Sequence, residues 1–112
     1  MHQYGYFYIM TNAHNTVLYC GATIDLYKRV LEHRNKLFAK SFTARYNIDK
    51  LVYFETLTLV SDAFEREKAM KGSSRKRKVD LINKMNPEWK NLFENLRENE
   101  ICDLLRIKNQ YK

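Results

Sequence analysis

Two short apolar runs, Tyr4–Met10 and Thr16–Cys20, flank the polar stretch Thr11–Asn15, and the residues after them switch at once to helical spacing. This order constrains the fold more than any other feature of the chain. Runs rich in aromatic and β-branched residues, separated by Asn, His and Asn, read as strand, turn, strand. Successive side chains of a strand point to opposite faces. Tyr4, Tyr6 and Tyr8 therefore share one face of the first run, and Gly5, Phe7 and Ile9 the other. On the second run Leu18 and Cys20 oppose Val17 and Tyr19. The simplest pairing buries Phe7, Ile9, Leu18 and Cys20 beneath a helix and brings Tyr8 and Tyr19 together on the opposite face. His14, in the turn, is expected to be solvated.

Gly21 supplies backbone freedom after the second strand, Thr23 is the expected N-cap, and Asp25 suits the first turn of a helix. Leu26, Val30 and Leu37 are spaced for a buried stripe flanked by Leu31, and Arg29 and His33 stack on one helix face. Residues 39–49 read as a polar, basic connection, and residues 50–59 as a third strand. Ser61 is the expected cap of a helix that aligns Ala63, Glu67 and Met70. A break at Gly72 precedes another helix, with Val79, Ile82 and Met85 as its apolar positions and Pro87 as its stop. From Trp89 onward, Leu92, Phe93, Leu96, Ile101, Leu104 and Leu105 form an amphipathic pattern. The expected fold is α/β of the mixed α+β kind: a small three-stranded antiparallel sheet flanked by helices, in the order ββαβαα plus a C-terminal helix. Residues 1–92 make the expected domain, and residues 93–112 a helical extension packed on it.

At 112 residues the chain has room for one core. Its 20 Lys and Arg against 13 Asp and Glu leave a net charge of +7, which favours a polyanionic partner, nucleic acid first. Cys20 and Cys102 are too far apart in sequence to suggest a disulfide framework or a metal knuckle, and are expected to be reduced. The N-terminus lacks the pattern of a signal peptide. No apolar run approaches the roughly 20 residues that span a bilayer. A soluble cytoplasmic protein without a membrane partner is expected.

The blocks "YFYIMTN…TVLYCGATIDLYKRVLEH", "RYNIDKLVYFE", "AFEREKAMKGSSRKRK" and "NPEW", in this order, resemble the GIY-YIG nuclease superfamily, and within it the short, stand-alone, YhbQ-like bacterial branch. The resemblance runs from about Tyr4 to Leu92. Neither naming tripeptide is intact: the first reads Tyr6-Phe7-Tyr8 and the second Tyr19-Cys20-Gly21. Both tyrosines are kept, and the changed middle positions stay apolar, as a core-facing site requires. The resemblance implies that Tyr8 and Tyr19 belong to an active site, with Arg29 as the arginine of the first helix. His33 matches a histidine position of this branch, one that assists proton transfer or positions the phosphate. It further implies that Glu67 holds a single divalent cation, Mg²⁺ or Mn²⁺, that Asn86 is a supporting polar residue, and that Gly21 turns the backbone out of the hairpin. Lys28, Arg75, Lys76, Arg77 and Lys78 are the residues expected to track a nucleic-acid backbone.

That set is chemically coherent. Phosphodiester hydrolysis needs an activated water, charge stabilisation on the phosphoryl oxygens and help for the departing 3′ oxygen. A carboxylate-bound cation supplies a Lewis acid, and an arginine fork suits a phosphate. Tyrosine titrates near 10 and needs help to act as a base, whereas histidine titrates near neutrality. Sequence leaves the choice among Tyr8, Tyr19 and His33 open. The implied activity is metal-dependent DNA endonuclease chemistry of the repair or recombination type. Low sequence specificity and a preference for branched, nicked or single-stranded DNA are expected, from a monomer or weak dimer. The alternatives are a catalytically weak nucleic-acid-binding module and a subunit that docks on a partner through residues 90–112. Tyr4 and Tyr6 read as structural, and Trp89 as a cap after Pro87.

Overall fold

The computed structural model describes residues 3–96. Its elements are β1 (Gly5–Thr11), β2 (Leu18–Thr23), α1 (Leu26–Arg34), α2 (Phe42–Arg45), β3 (Lys50–Leu57), α3 (Val60–Lys71) and α4 (Arg75–Met85). The three strands form one antiparallel sheet in the order β2-β1-β3, so the first strand lies at its centre. This is the expected mixed fold, with one addition: α2 lies inside the stretch read as a connection. Ser41 caps it, accepting a hydrogen bond from the Ala44 amide at 3.3 Å.

The hairpin register pairs Tyr8 with Gly21, Ile9 with Cys20 and Met10 with Tyr19. The alternation therefore falls as the sequence implies. Phe7, Ile9 and Cys20 join Val52, Tyr53, Met70 and Ile82 in one cluster beneath α3 and α4, with Leu18 packed against it. The tyrosine side is a second core. Tyr8 and Met10 pack there with Leu26, Val30, Ile48, Leu51, Phe93 and Leu96, and Tyr6 and Tyr19 lie against them. Between Ile9 and Met10 the pairing with β3 slips by one residue, leaving Val52 as the extra residue of a bulge. Gly5 lets α3 lie directly on β1: a Cβ there would stand 2.7 Å from the Ala63 Cβ and 2.9 Å from the Val60 Cα.

Several local expectations are corrected. Asp25, not Thr23, is the N-cap of α1 and accepts from the Lys28 amide at 3.1 Å. Thr23 instead accepts from the Asp25 amide in the turn before it. Ser61 does not cap α3, because that helix begins two residues earlier than such a cap requires, at Val60 after Leu59. Ser74 does cap α4, accepting from the Arg77 amide. Leu37 is 59% exposed, because α1 ends at Arg34 and the chain turns at Lys36, which has a φ of 51°. Met85 is also exposed, and α4 buries Ile82 fully with Leu81 and Val79 half-covered.

Past α4 the chain returns to the sheet. The Leu92 amide donates to the Leu51 carbonyl at 2.8 Å, and the Leu51 amide donates to the Asn91 side chain. Phe93 then stacks on Tyr27 with Arg34 over its ring, and Leu96 closes the second core. Each buried side chain of this size contributes about 1.5–3 kcal/mol. Ile101, Cys102, Leu104 and Leu105 lie outside the described residues. No described helix is long and apolar enough to cross a membrane.

Candidate active site

Tyr8 sits in the central strand with 2% of its surface exposed. Its neighbours across the hairpin are Gly21 directly opposite and Tyr19 on the diagonal, the two tyrosine rings lying 6.3 Å apart. The Tyr8 ring occupies the space above Gly21 that a side chain would need, since a Cβ built there overlaps the Tyr8 Cζ and hydroxyl. Gly21 is therefore a mid-strand residue that makes room for a phenol. The resemblance placed it at a turn, but its φ is not positive and β2 continues to Thr23.

Helix α1 crosses the tyrosine face because Leu26 and Val30 are buried there, and its spacing brings His33 over both rings. His33 Nε2 is 3.0 Å from the Tyr8 hydroxyl, and the His33 ring packs edge-on against Tyr19 at 5.4 Å. The other imidazole nitrogen, Nδ1, is 2.9 Å from the Thr43 Oγ1 of α2. Burial pushes the Tyr8 phenol well above its usual range; Tyr19 adds to the effect and Arg29 opposes it. Burial pushes His33 below its ordinary value of 6.5, and Arg29 pushes it further down against the pull of Glu32. At neutral pH the pair is an uncharged phenol beside an uncharged imidazole.

The charged members come from two helices. Arg29 is 42% exposed at its side chain, and its Nε lies 3.7 Å from the Glu32 Oε1. Glu67 shares the buried face of α3 with Ala63 and Met70 and is 21% exposed; its Oε1 meets the Lys71 Nζ at 2.7 Å. The Lys71 ammonium also lies 5.6 Å from the Tyr19 ring centre, and its hydrogen bond to Glu67 raises its pKa. Tyr8, Tyr19, Arg29, His33 and Glu67 thus come together from β1, β2, α1 and α3.

Asn86 and the basic run of α4 are not part of this group. Asn86 is buried; its amide donates to the Val52 and Lys90 carbonyls, and its oxygen accepts from the Lys90 amide. It locks the turn after α4 onto β3. Trp89, at a φ of 54°, donates back to Asn83 on the same helix. Arg75 donates to the Thr16 and Asn15 carbonyls and so pins the hairpin turn to α4. Lys76 pairs with Asp80, and Arg77 is exposed. Lys78 lies on the side nearest β2, where its charge is felt by Cys20. Lys28 is exposed on α1.

Sequence reasoning missed Lys71, Thr43, Ser41 and Phe42. Lys71 follows Glu67 by one helical turn, a spacing that favours the pair. The other three fall in the unpatterned connection, where no period marks them. Phe42 stacks on Tyr19 at 6.3 Å and meets Tyr46 at a tilt, 4.7 Å away, and both Phe42 and Tyr46 are about half exposed.

Among the described residues no three His, Cys, Asp or Glu side chains cluster as a metal cage. Glu67 acts on the Tyr8 phenol more strongly than Glu32, the other carboxylate whose charge reaches it. One such oxygen donor fits a hard cation that keeps most of its shell as water and substrate phosphate.

The GIY-YIG catalytic domain family matches residues 4–86. Curated relatives include a UPF0213 protein of Syntrophus aciditrophicus (strain SB), 36% identical over 83 residues, covering 74% of this chain and 93% of the relative. Another UPF0213 protein, from Pediococcus pentosaceus, is 38% identical over 79 residues, covering 70% of this chain and 81% of that one. The solution NMR structure of the UPF0213 protein BH0048 from Bacillus halodurans shows a TM-score of 0.49 and 25% identity, covering 79% of this chain and 92% of that one. With its two tyrosines set diagonally across the hairpin and the family match spanning β1 to the end of α4, this chain belongs to the GIY-YIG catalytic domain family.

Proposed function

We propose that the protein is a metal-dependent DNA endonuclease that hydrolyses phosphodiester bonds with low sequence specificity. The observation that carries this reading is the Tyr8–His33 hydrogen bond, with Arg29 and Glu67 close enough for their charges to act on the same phenol. Tyr8 is too strongly buried to serve as a phenolate base. It acts as a relay: the attacking water gives a proton to the phenol oxygen while the phenol proton passes to His33 Nε2. The hydroxide so formed attacks phosphorus, the bond to the 3′ oxygen breaks, and solvent protonates that oxygen. Arg29 presents its guanidinium to the phosphoryl oxygens. A divalent cation held by Glu67, Mg²⁺ or Mn²⁺, would supply a Lewis acid at the phosphate.

The exposed faces of Phe42 and Tyr46, with Lys40 and Arg45 on the same segment, support a preference for DNA with unstacked bases, as in branched, nicked or single-stranded forms. The test incubates purified protein with branched, nicked, single-stranded and supercoiled DNA in Mg²⁺, Mn²⁺ or EDTA. Cleavage that requires the metal and is lost in Glu67→Ala and Arg29→Ala is expected. Binding without cleavage under every condition would refute the enzyme and leave a nucleic-acid-binding module.

A further inference from the structure

The Tyr8–His33 pair continues inward, through groups that have no part in the reading above. Thr43 is 4% exposed, and its Oγ1 lies 2.9 Å from His33 Nδ1 and 3.2 Å from the Ser41 Oγ. Four side chains thus form one line: Tyr8, His33, Thr43, Ser41. Each hydroxyl has a single proton to donate, so the line has a direction. The Tyr8 hydroxyl is buried, and His33 Nε2 is the acceptor within its reach among the described residues. A buried phenol that received a proton from Nε2 would keep its own without an acceptor, at a cost of about 1–3 kcal/mol. The phenol therefore donates to Nε2. A neutral imidazole then carries its proton on Nδ1, facing Thr43. Thr43 accepts it and turns its own hydroxyl proton to Ser41, which already accepts the Ala44 amide as the cap of α2.

We propose that Thr43 is a positioning residue that holds neutral His33 in the Nδ1–H form, so that the Nε2 lone pair is always presented to Tyr8. The inference rests on the proton relay proposed above. Thr43 touches neither the phosphate nor the water; it acts through the imidazole. When His33 takes up the relayed proton, both ring N–H groups have acceptors, Tyr8 on one side and Thr43 on the other. The other groups facing the ring are Tyr19 from β2 and the oppositely charged Arg29 and Glu32 from α1. Neither charge selects a tautomer by hydrogen bonding, so the choice is made by the two hydrogen-bonded neighbours together, Tyr8 at Nε2 and Thr43 at Nδ1.

The decisive measurement is nitrogen NMR of the His33 ring in the full-length protein at a pH where it is neutral. The wild type is expected to show the proton on Nδ1; a proton on Nε2 would overturn the proposal outright, whatever any variant does. Thr43→Val keeps the shape of the residue and removes the acceptor. It is expected to move the proton to Nε2 and to slow cleavage by roughly 10–100-fold at unchanged KM, the range seen when a ligand's orienting partner is lost. Thr43→Ser is expected to restore both the Nδ1–H form and the rate. A Val variant that keeps the Nδ1 proton, or that switches form and cleaves at the wild-type rate, would refute the role. Should the wild type not cleave DNA at all, the relay reading fails, while the tautomer assignment is still decided by the spectra alone.

Discussion

Adding one methyl group at Gly21 tests whether the hairpin is built around the Tyr8 phenol. In Gly21→Ala the new Cβ falls on the end of the Tyr8 ring, inside contact distance of its Cζ, hydroxyl and Cε1. The ring has little room to move, because Tyr19 and His33 pack against it at 6.3 and 5.9 Å. Overpacking of this kind costs about 1–3 kcal/mol, and displacing the hydroxyl from His33 adds about 1 kcal/mol for the lost hydrogen bond. Against this, Ala is favoured over Gly in a strand by about 0.5–1 kcal/mol. The net expectation is a loss of roughly 1–3 kcal/mol. In thermal unfolding followed by circular dichroism each kcal/mol corresponds to about 4–8 °C for a domain of this size. The diagnostic step is a double-mutant cycle with Tyr8→Ala. Without the phenol the three atoms nearest the methyl group are gone, so Gly21→Ala should become neutral or slightly stabilising there, giving a coupling of about 1–3 kcal/mol. Equal destabilisation in both backgrounds would refute the reasoning.

Replacing Asn86 by Ala removes one hydrogen bond to the Val52 carbonyl of β3 and two to the Lys90 backbone within the turn after α4. It is expected to lower stability by about 2–3 kcal/mol in denaturant melts, yet to leave the cleavage rate of the folded protein unchanged. The pH–rate profile of kcat/KM is expected to be flat near neutrality and to fall in acid with a midpoint below 6.5, since His33 must be neutral to receive a proton and is held below that value. The same shift has a stability counterpart: burial disfavours the imidazolium, so the contribution is complete above the ordinary value and is lost as pH falls through the folded one. A rate midpoint above 7 would argue against His33 as the acceptor. Arg77→Ala is expected to flatten the salt dependence of DNA binding by about one counterion. Arg75→Ala should do so far less and instead loosen the hairpin turn, seen as a lowered melting temperature.

The hairpin was legible because a strand's period of two leaves Phe7, Ile9, Leu18 and Cys20 one partition and the tyrosines the other. The structure adds the register, Tyr8 opposite Gly21 and Met10 opposite Tyr19, which alternation alone does not give. Helical spacing aligned Glu67 with Ala63 and Met70, while its assignment to the site came from the family resemblance alone. What spacing could not convey was the depth of Tyr8. The tyrosine face becomes a core only when α1 and the segment carrying Phe93 and Leu96 come from distant parts of the chain to cover it. Thr43 was hidden for a different reason. A four-residue helix shows no periodicity, and its identity rests on Ser41 capping Ala44, a local hydrogen bond that competes evenly with loop conformations. Asn86 shows the reverse case, in which a residue read through family likeness as supporting a site proves to fasten a turn.

The centre strand has a consequence for how the protein would lose its proposed chemistry. β1 is hydrogen-bonded on both sides, and Tyr8, Ile9 and Met10 within it are essentially inaccessible to water. Its amides should exchange only through global opening, whereas α2 is a single capped turn with Phe42 and Tyr46 turned outward, and can open at much lower free energy. The phenol at one end of the hydrogen-bonded line and the Thr43–Ser41 pair at the other therefore belong to units of unequal cooperativity. As temperature rises, that line breaks at its Thr43 end first, and catalysis should fade while the sheet is still intact.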